Sequence, residues 1–372
     1  MTSSLYYTLI CLLVGIAVII VLTTKYRVHA FFALILACFI TGFGLGLPVD
    51  GLIGSIKDGF GNIMKSLGLI IILGTTLGSV LEYSGSTRVM ANFILRKTGE
   101  RRASLAMSIT GFIVGLPVFC DSGYIVLSGL VRPLAKKTGI PLVTMSCSLA
   151  TGLYAVHCLV PPHPGVTAAA VNLGVDLGKL IFIGIGVAIP GMLAGHWWSR
   201  YAGKKTVDLS NESRDLIAEP AARPSVIQAF IPILIPVLLI ALKSFFTIDR
   251  KTDSFTNLLS SVGDPVIALS IGVLLALICA KGWNRHNLAL LLRESAEKAG
   301  GILVIIGAGG AFGAVLAAAD LGKHFNEVPR LHHLGIFFPF LVCFLLKTAQ
   351  GSSTVAIITA SSIVLPFLPV LG

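Results

Sequence analysis

Asp121 is the only charged residue between Arg102 and Arg132, at the end of the run Gly115-Leu116-Pro117-Val118-Phe119-Cys120-Asp121 and directly before Ser122-Gly123. An ionisable group in so apolar a segment is costly unless it faces a cavity or a partner, so it is a functional candidate by default. The same setting disfavours the charged carboxylate, which makes Asp121 a candidate proton carrier. His157 and His163 are the other candidates for proton traffic, because imidazole titrates near neutrality and donates to hydroxyls or carboxylates. Ser122 and Gly123, together with Gln350, Gly351, Ser352, Ser353 and Thr354, supply hydroxyls and bare backbone at two places where half-helices are expected to begin. Helix N-termini carry unpaired N–H groups and partial positive charge, which suits a carboxylate, while hydroxyls suit a polyol. Thr167 is a further candidate contact. Plainer roles stay open: Asp121 capping a helix that starts at Ser122, hydroxyls bonding back to their own helix, and histidines bridging to a neighbouring helix.

These residues need elements that hold polar groups at membrane depth. Thr138 to Val175 contains no Asp, Glu, Lys or Arg and is interrupted by Val160-Pro161-Pro162-His163-Pro164-Gly165. Pro161, Pro162 and Pro164 break a bilayer-length helix and free backbone groups, tolerable only where protein or a watery cavity satisfies them. A broken span of this kind marks a solute site.

The whole composition agrees. With 55% hydrophobic and 12% charged residues and a mean hydropathy of +0.90, the 372-residue chain reads as a polytopic membrane protein. Spans are expected near 5–24, 28–47, 62–82, 141–175 (broken), 178–199, 225–242, 264–280 and 299–319, each able to cross ~30 Å of hydrocarbon. Residues 103–131 and 334–370 are better read as re-entrant hairpins. The first ten residues carry no Lys or Arg, so the first span lacks the basic start of a cleaved signal and is predicted to enter with its N-terminus outside. Most of the basic residues, among them Lys25, Arg88, Arg96, Lys97, Arg132, Lys204 and Arg285, then fall in cytoplasmic loops. The net charge of +11 is thereby accounted for by topology, since the basic residues form no continuous stripe for nucleic acid. The seven cysteines are scattered without Cys-x-x-Cys pairs, and no metal or other cofactor is expected. No Gly-x-x-x-x-Gly-Lys-Ser/Thr sequence supports ATP-driven work, and no His-Glu-x-x-His helix supports an intramembrane enzyme using Asp121.

The chain repeats itself weakly. Gly74-Thr75-Thr76-Leu77-Gly78-Ser79-Val80-Leu81 matches Gly309-Gly310-Ala311-Phe312-Gly313-Ala314-Val315-Leu316, and Asp121-Ser122-Gly123 lies where the second half has Gly351-Ser352-Ser353. The halves run in opposite directions in the proposed topology, an inverted repeat. The expected organisation is therefore residues 1–200 as a first span plus first repeat, with hairpin 103–137 and broken helix 141–175; residues 201–224 as a cytoplasmic linker; and residues 225–372 as a second repeat with hairpin 334–370. The second half has no counterpart to 141–200, so this repeat is expected to be incomplete at the C-terminus.

The hairpin run Gly115 to Gly123, the broken-helix run Val156-His157-Cys158-Leu159-Val160-Pro161-Pro162-His163-Pro164-Gly165, then Gly263-Asp264-Pro265 and Gln350 to Ala356 resemble the gluconate permease family of proton symporters over essentially the whole chain. The Pro-Pro-His-Pro-Gly element is the most specific part. The resemblance implies an all-α polytopic fold of the ion-transporter superfamily and uptake of gluconate or a related sugar acid with protons. It further implies an inner-membrane location and a possible homodimer. Members usually continue through a second broken span with a Ser-His-x-Asn-Asp type element, so a truncated chain that inserts without transporting is one alternative. A sodium-coupled carrier of carboxylates or D-serine is another.

Overall fold

The computed structural model describes residues 5–99, 102–204, 224–246, 261–280, 284–318, 337–350 and 353–365. Among these the regular structure is helical throughout, as the sequence predicts. The helices are α1 (Leu5–Thr24), α2 (Ala30–Gly44), α3 (Val49–Tyr83), α4 (Ser86–Thr98), α5 (Ala103–Gly115), α6 (Cys120–Thr138) and α7 (Leu142–Leu159). They continue with α8 (Pro164–Asn172), α9 (Leu177–Gly203), α10 (Val226–Phe246), α11 (Pro265–Cys279), α12 (Arg285–Ala318), α13 (Phe337–Gln350) and α14 (Ser353–Val364). Four segments are long and apolar enough to cross a bilayer: α3, the α7–α8 pair, α9 and α12. The expected linker lies almost wholly in 205–223, outside the described residues, as do 334–336 and 366–370 at the ends of the second expected hairpin.

Several boundaries follow from local chemistry. Asp264 caps α11 by accepting from the Val266 amide at 2.9 Å, with Pro265 in the first turn where its missing N–H costs nothing. Asp176 does the same for α9, accepting from the Lys179 amide at 2.8 Å. Ser225 and Gln228 start α10 with a reciprocal pair: the Ser225 amide donates to the Gln228 side chain, and the Gln228 amide donates to the Ser225 hydroxyl. Gly139 ends α6 in the left-handed region at φ 69°, a conformation that costs glycine nothing.

Three elements differ from the sequence expectation. The segment predicted as 62–82 begins at Val49, and the one predicted as 299–319 begins at Arg285. Their leading halves carry charges and so have low mean hydropathy, yet no proline interrupts them. An apolar stripe that includes the buried Leu52, Ile63 and Leu67 keeps α3 helical before its apolar half begins. Helix α4 was not anticipated, because Arg88, Arg96 and Lys97 make it polar on average. It buries Thr87, Met90, Ala91 and Ile94 on one side.

The chain forms two compact units that interleave in sequence. One comprises residues 1–68, 164–175 and 300–372; the other comprises 69–163 and 176–299. In the first, Leu12, Ile19, Leu34, Cys38, Leu52, Phe312, Leu316, Leu346, Ala356 and Ile363 form a common core from α1, α2, α3, α12, α13 and α14. In the second, α7 packs between α5 and α9 with the helices nearly backbone to backbone. A Cβ on Gly111 would strike the Leu149 carbonyl, one on Gly152 the Ser108 carbonyl, and one on Gly184 the Leu159 carbonyl. Small residues let helices approach this closely where lipid supplies no hydrophobic driving force.

Candidate functional site

The proline break is built as its sequence requires. Helix α7 stops at Leu159, Val160 is extended, Pro161 and Pro162 are joined by a cis peptide, and α8 restarts at Pro164. His163 sits inside the break with 3% of its surface exposed. Its Nε2 lies 2.5 Å from the carbonyl oxygen of Gly115, the last residue of α5. A carbonyl only accepts, so Nε2–H donates, and the imidazole satisfies an orphan carbonyl at a helix end. The His163 ring is 4.8 Å from that of His157 in an edge contact and 6.2 Å from Phe119; His157 in turn stacks on Tyr154 at 6.3 Å.

The first hairpin tip, Leu116–Phe119, is held from a second side by α3. A Cβ on Gly78 would lie 2.9 Å from the Pro117 carbonyl, and one on Gly74 would lie 3.9 Å from Pro162. Gly74 and Gly78 of α3 thus face both the α5–α6 turn and the break. Helix α6 begins at Cys120 with Phe119 as its N-cap, which puts Asp121 and Ser122 in its first turn, whereas the capping alternative had the helix start at Ser122. The side chains of both lie outside the described residues. Gly123 is buried against α7, where a Cβ would meet Leu153 at 2.9 Å.

In the other unit, α8 runs beside α14. A Cβ on Gly165 would lie 3.1 Å from the Cα of Thr354, and seven residues on, Asn172 Nδ2 donates to Ser361 Oγ at 3.0 Å and Ser362 Oγ at 3.3 Å. The two pairs keep the same sequence offset, so the helices are parallel and their N-termini lie at the same end. Thr167 is fully buried in α8, and Ser353 is buried in the first turn of α14 beside half-buried Thr354. Ser362 Oγ donates onward to the Gly309 carbonyl of α12 at 2.9 Å. Gln350 ends α13, its side chain undescribed, and Gly351 and Ser352 lie outside the described residues.

Adjacent parallel N-termini are electrostatically unfavourable alone, since each presents about +0.5 charge. An anion beside them turns that cost into binding. The hydroxyls of Thr167, Ser353 and Thr354 sit on the first turns of these same two helices.

Two polar groupings were not anticipated. Asn172 clasps α14 through Ser361 and Ser362. Ser108, Ser148, Ser199 and His196 form a buried knot across α5, α7 and α9, with His196 Nδ1 3.2 Å from Ser108 Oγ and 3.4 Å from Ser148 Oγ. Ser199 donates to the His196 carbonyl at 2.7 Å, and Ser148 and Ser199 are 2.8 Å apart. With the Ser199 proton so engaged, Ser148 donates to Ser199. Ser108 Oγ also lies 3.4 Å from the Ser104 carbonyl, so its proton serves either that oxygen or His196 Nδ1. The spacing of Ser104, Ser108 and Gly111 was the available signal, a small-residue stripe with hydroxyls.

A multi-pass helical protein with a proline-broken span and paired half-helix starts belongs to the class of membrane permeases. The GntP family permease model matches residues 7–372, so the chain belongs to that family; it is a transporter, not an enzyme. It is 35% identical to a gluconate permease of Pseudomonas aeruginosa over 97% of this chain and 83% of the relative. It is 31% identical to the D-serine transporter DsdX of Escherichia coli O6:H1 over 96% of this chain and 82% of that one. Among solved structures, MtrF of Neisseria gonorrhoeae, described with a class of antimetabolite efflux pumps, shares the fold. Its TM-score is 0.60 at 16% identity, covering 87% of this chain and 71% of that one.

Proposed function

We propose that this permease imports gluconate or a related sugar acid across the inner membrane by proton symport. The observation that carries the reading is the parallel pairing of α8 and α14, whose shared N-terminal end suits a carboxylate. Hydroxyls of Thr167, Ser353 and Thr354, with Ser122, Gln350, Ser352 and the backbone of Gly123 and Gly351, take the sugar hydroxyls. Asp121 carries the coupled proton, and His163 and His157 assist it. Pro161, Pro162, Pro164 and Gly165 shape the break. The gluconate permease relative supports the substrate class. The halves 1–200 and 225–372 act as inverted repeats joined by a cytoplasmic linker, with the N-terminus outside and a homodimer as the assembled form.

The test is uptake of labelled gluconate into proteoliposomes under an imposed pH gradient in sodium-free buffer. Uptake should be abolished by an uncoupler and strongly reduced by Asp121→Asn and His163→Ala. Unchanged transport in both variants overturns the residue roles, and uptake that survives the uncoupler but requires sodium overturns proton coupling. The DsdX relative favours a second reading, a D-serine carrier, since an amino acid also presents a carboxylate. Uptake of labelled D-serine that unlabelled gluconate does not inhibit would select it.

A further inference from the structure

Helix α4 has 13 residues, about 20 Å of rise, too short to cross the hydrocarbon. Its buried side, Thr87, Met90, Ala91 and Ile94, packs inward, and Arg96 and Lys97 in its last turn are exposed. Its apolar face packs against neighbouring helices of the same unit, and its last-turn cations face outward. Beside it opens a cavity of about 520 Å³ lined by Val89, Asn92, Phe93, Arg96 and Lys97 of α4 and by Val226, the first residue of α10. Phe93 also packs edge-on against Phe230 of α10 at 5.8 Å, so the hollow is a notch between two helices in contact. The Lys97 ammonium stands 6.0 Å from the Phe93 ring centre. Among the described residues neither Arg96 nor Lys97 has a carboxylate partner, and no carboxylate lines the cavity.

Two basic side chains at a helix C-terminus are favourable to the helix dipole, but that alone leaves no hollow beside them. The lining is divided: Val89, Phe93 and Val226 make apolar walls, while Arg96, Lys97 and Asn92 supply two cations and an amide. Free phosphate would be poorly matched to the apolar part, and a neutral lipid would offer the two cations no net negative charge. We propose that this notch binds an anionic phospholipid, its headgroup phosphate held by Arg96 and Lys97 and its glycerol and first methylenes resting on Phe93 and Val226. Basic notches between membrane helices recognise headgroups through this combination. The site belongs to the residue 69–163 and 176–299 unit alone, and it stands whichever solute the protein carries.

Native mass spectrometry of the purified chain, titrated with phosphatidylglycerol or phosphatidylethanolamine of matched acyl chains, tests the proposal. The wild type should prefer the anionic lipid, and Arg96→Gln and Lys97→Gln should each lower that preference by about fivefold. Lys179→Gln, an exposed cation on α9, should leave it unchanged; an equal loss there would reduce the effect to general charge and overturn the site. Both substituted side chains are exposed, so the variants are expected to fold, and their melting temperatures without added lipid check this. Inorganic phosphate that competes at millimolar concentration would make the notch a free-anion site and overturn the lipid assignment. Equal retention of the two lipids by the wild type would also overturn it and leave the notch to another occupant, residues 205–223 being nearest in sequence to α10.

Discussion

Asn172 Nδ2 donates to Ser361 Oγ at 3.0 Å, and this bond locks α8 in parallel register with α14. Ser361 and Ser362 direct their own protons to the Ile358 and Gly309 carbonyls, so both must accept from Asn172. A replacement that cannot donate should fail even if it is polar. Asn172→Ala and Asn172→Asp should each lose about 1–3 kcal/mol of stability, the cost of a lost buried hydrogen bond and its unsatisfied remainder. Thermal unfolding in detergent reads this. Equal stability of Asn172→Asp and wild type would contradict the assigned direction.

Gly165 meets Thr354 at the end of the pair where the N-terminal amides converge. An added methyl would press on the Thr354 backbone at 3.1 Å, a gap tighter than ordinary contact but able to give slightly. Gly165→Ala should weaken uptake several-fold, and Gly165→Val should abolish it, with each protein still folded. Measuring KM separately from the maximal rate distinguishes the outcomes: a spoiled anion site raises KM first.

The bond from His163 Nε2 to the Gly115 carbonyl ties the helix break to the first hairpin. Glutamine carries a donor on a chain of similar reach, whereas alanine leaves the carbonyl unpaired and a void behind. His163→Gln should therefore retain stability close to wild type, and His163→Ala should lose about 2–4 kcal/mol from hydrogen bond and packing together. If the imidazole also moves protons, His163→Gln will fold and bind yet lose its response to an imposed pH gradient. Uptake against counterflow exchange separates these two roles.

Helices α5 and α7 leave no room where Gly152 faces the Ser108 backbone. Gly152→Ala requires the helices to part, which also pulls Ser108 from His196. The expected loss is about 1–3 kcal/mol from overpacking, seen as a lower melting temperature and reduced yield of folded protein. His196→Phe should be destabilised comparably by stranding Ser108 and Ser148. The double variant should cost less than the sum, because both changes break one knot.

Much of this architecture was written locally. Asp264-Pro265 starts a helix because a carboxylate caps amides and proline tolerates the first turn, whatever packs around it. Pro161, Pro162 and Pro164 end one helix and start the next because two lack an N–H in the break and the third fits the first turn of α8. Ser353 and Thr354 are candidates from their place at such a start, and Thr167 from following the proline break. By contrast α4 and the leading halves of α3 and α12 escaped notice, since a charged outer face lowers mean hydropathy while the buried stripe persists.

Residue composition and the placement of prolines specify an all-α membrane protein, the break in its α7–α8 span, and the polar residues that stand there. Backbone chemistry and the exclusion of water decide those features one segment at a time. That α8 lies parallel to α14, that Asn172 faces Ser361, and that His196 gathers serines from two other helices emerge from the packing of the helices. A helix buried in protein and a helix facing lipid are both apolar, so the chain carries little periodicity to say which face meets which partner. That choice is made by glycine contacts and a few hydrogen bonds between residues as far apart as Asn172 and Ser361, and these exist only once the helices have packed.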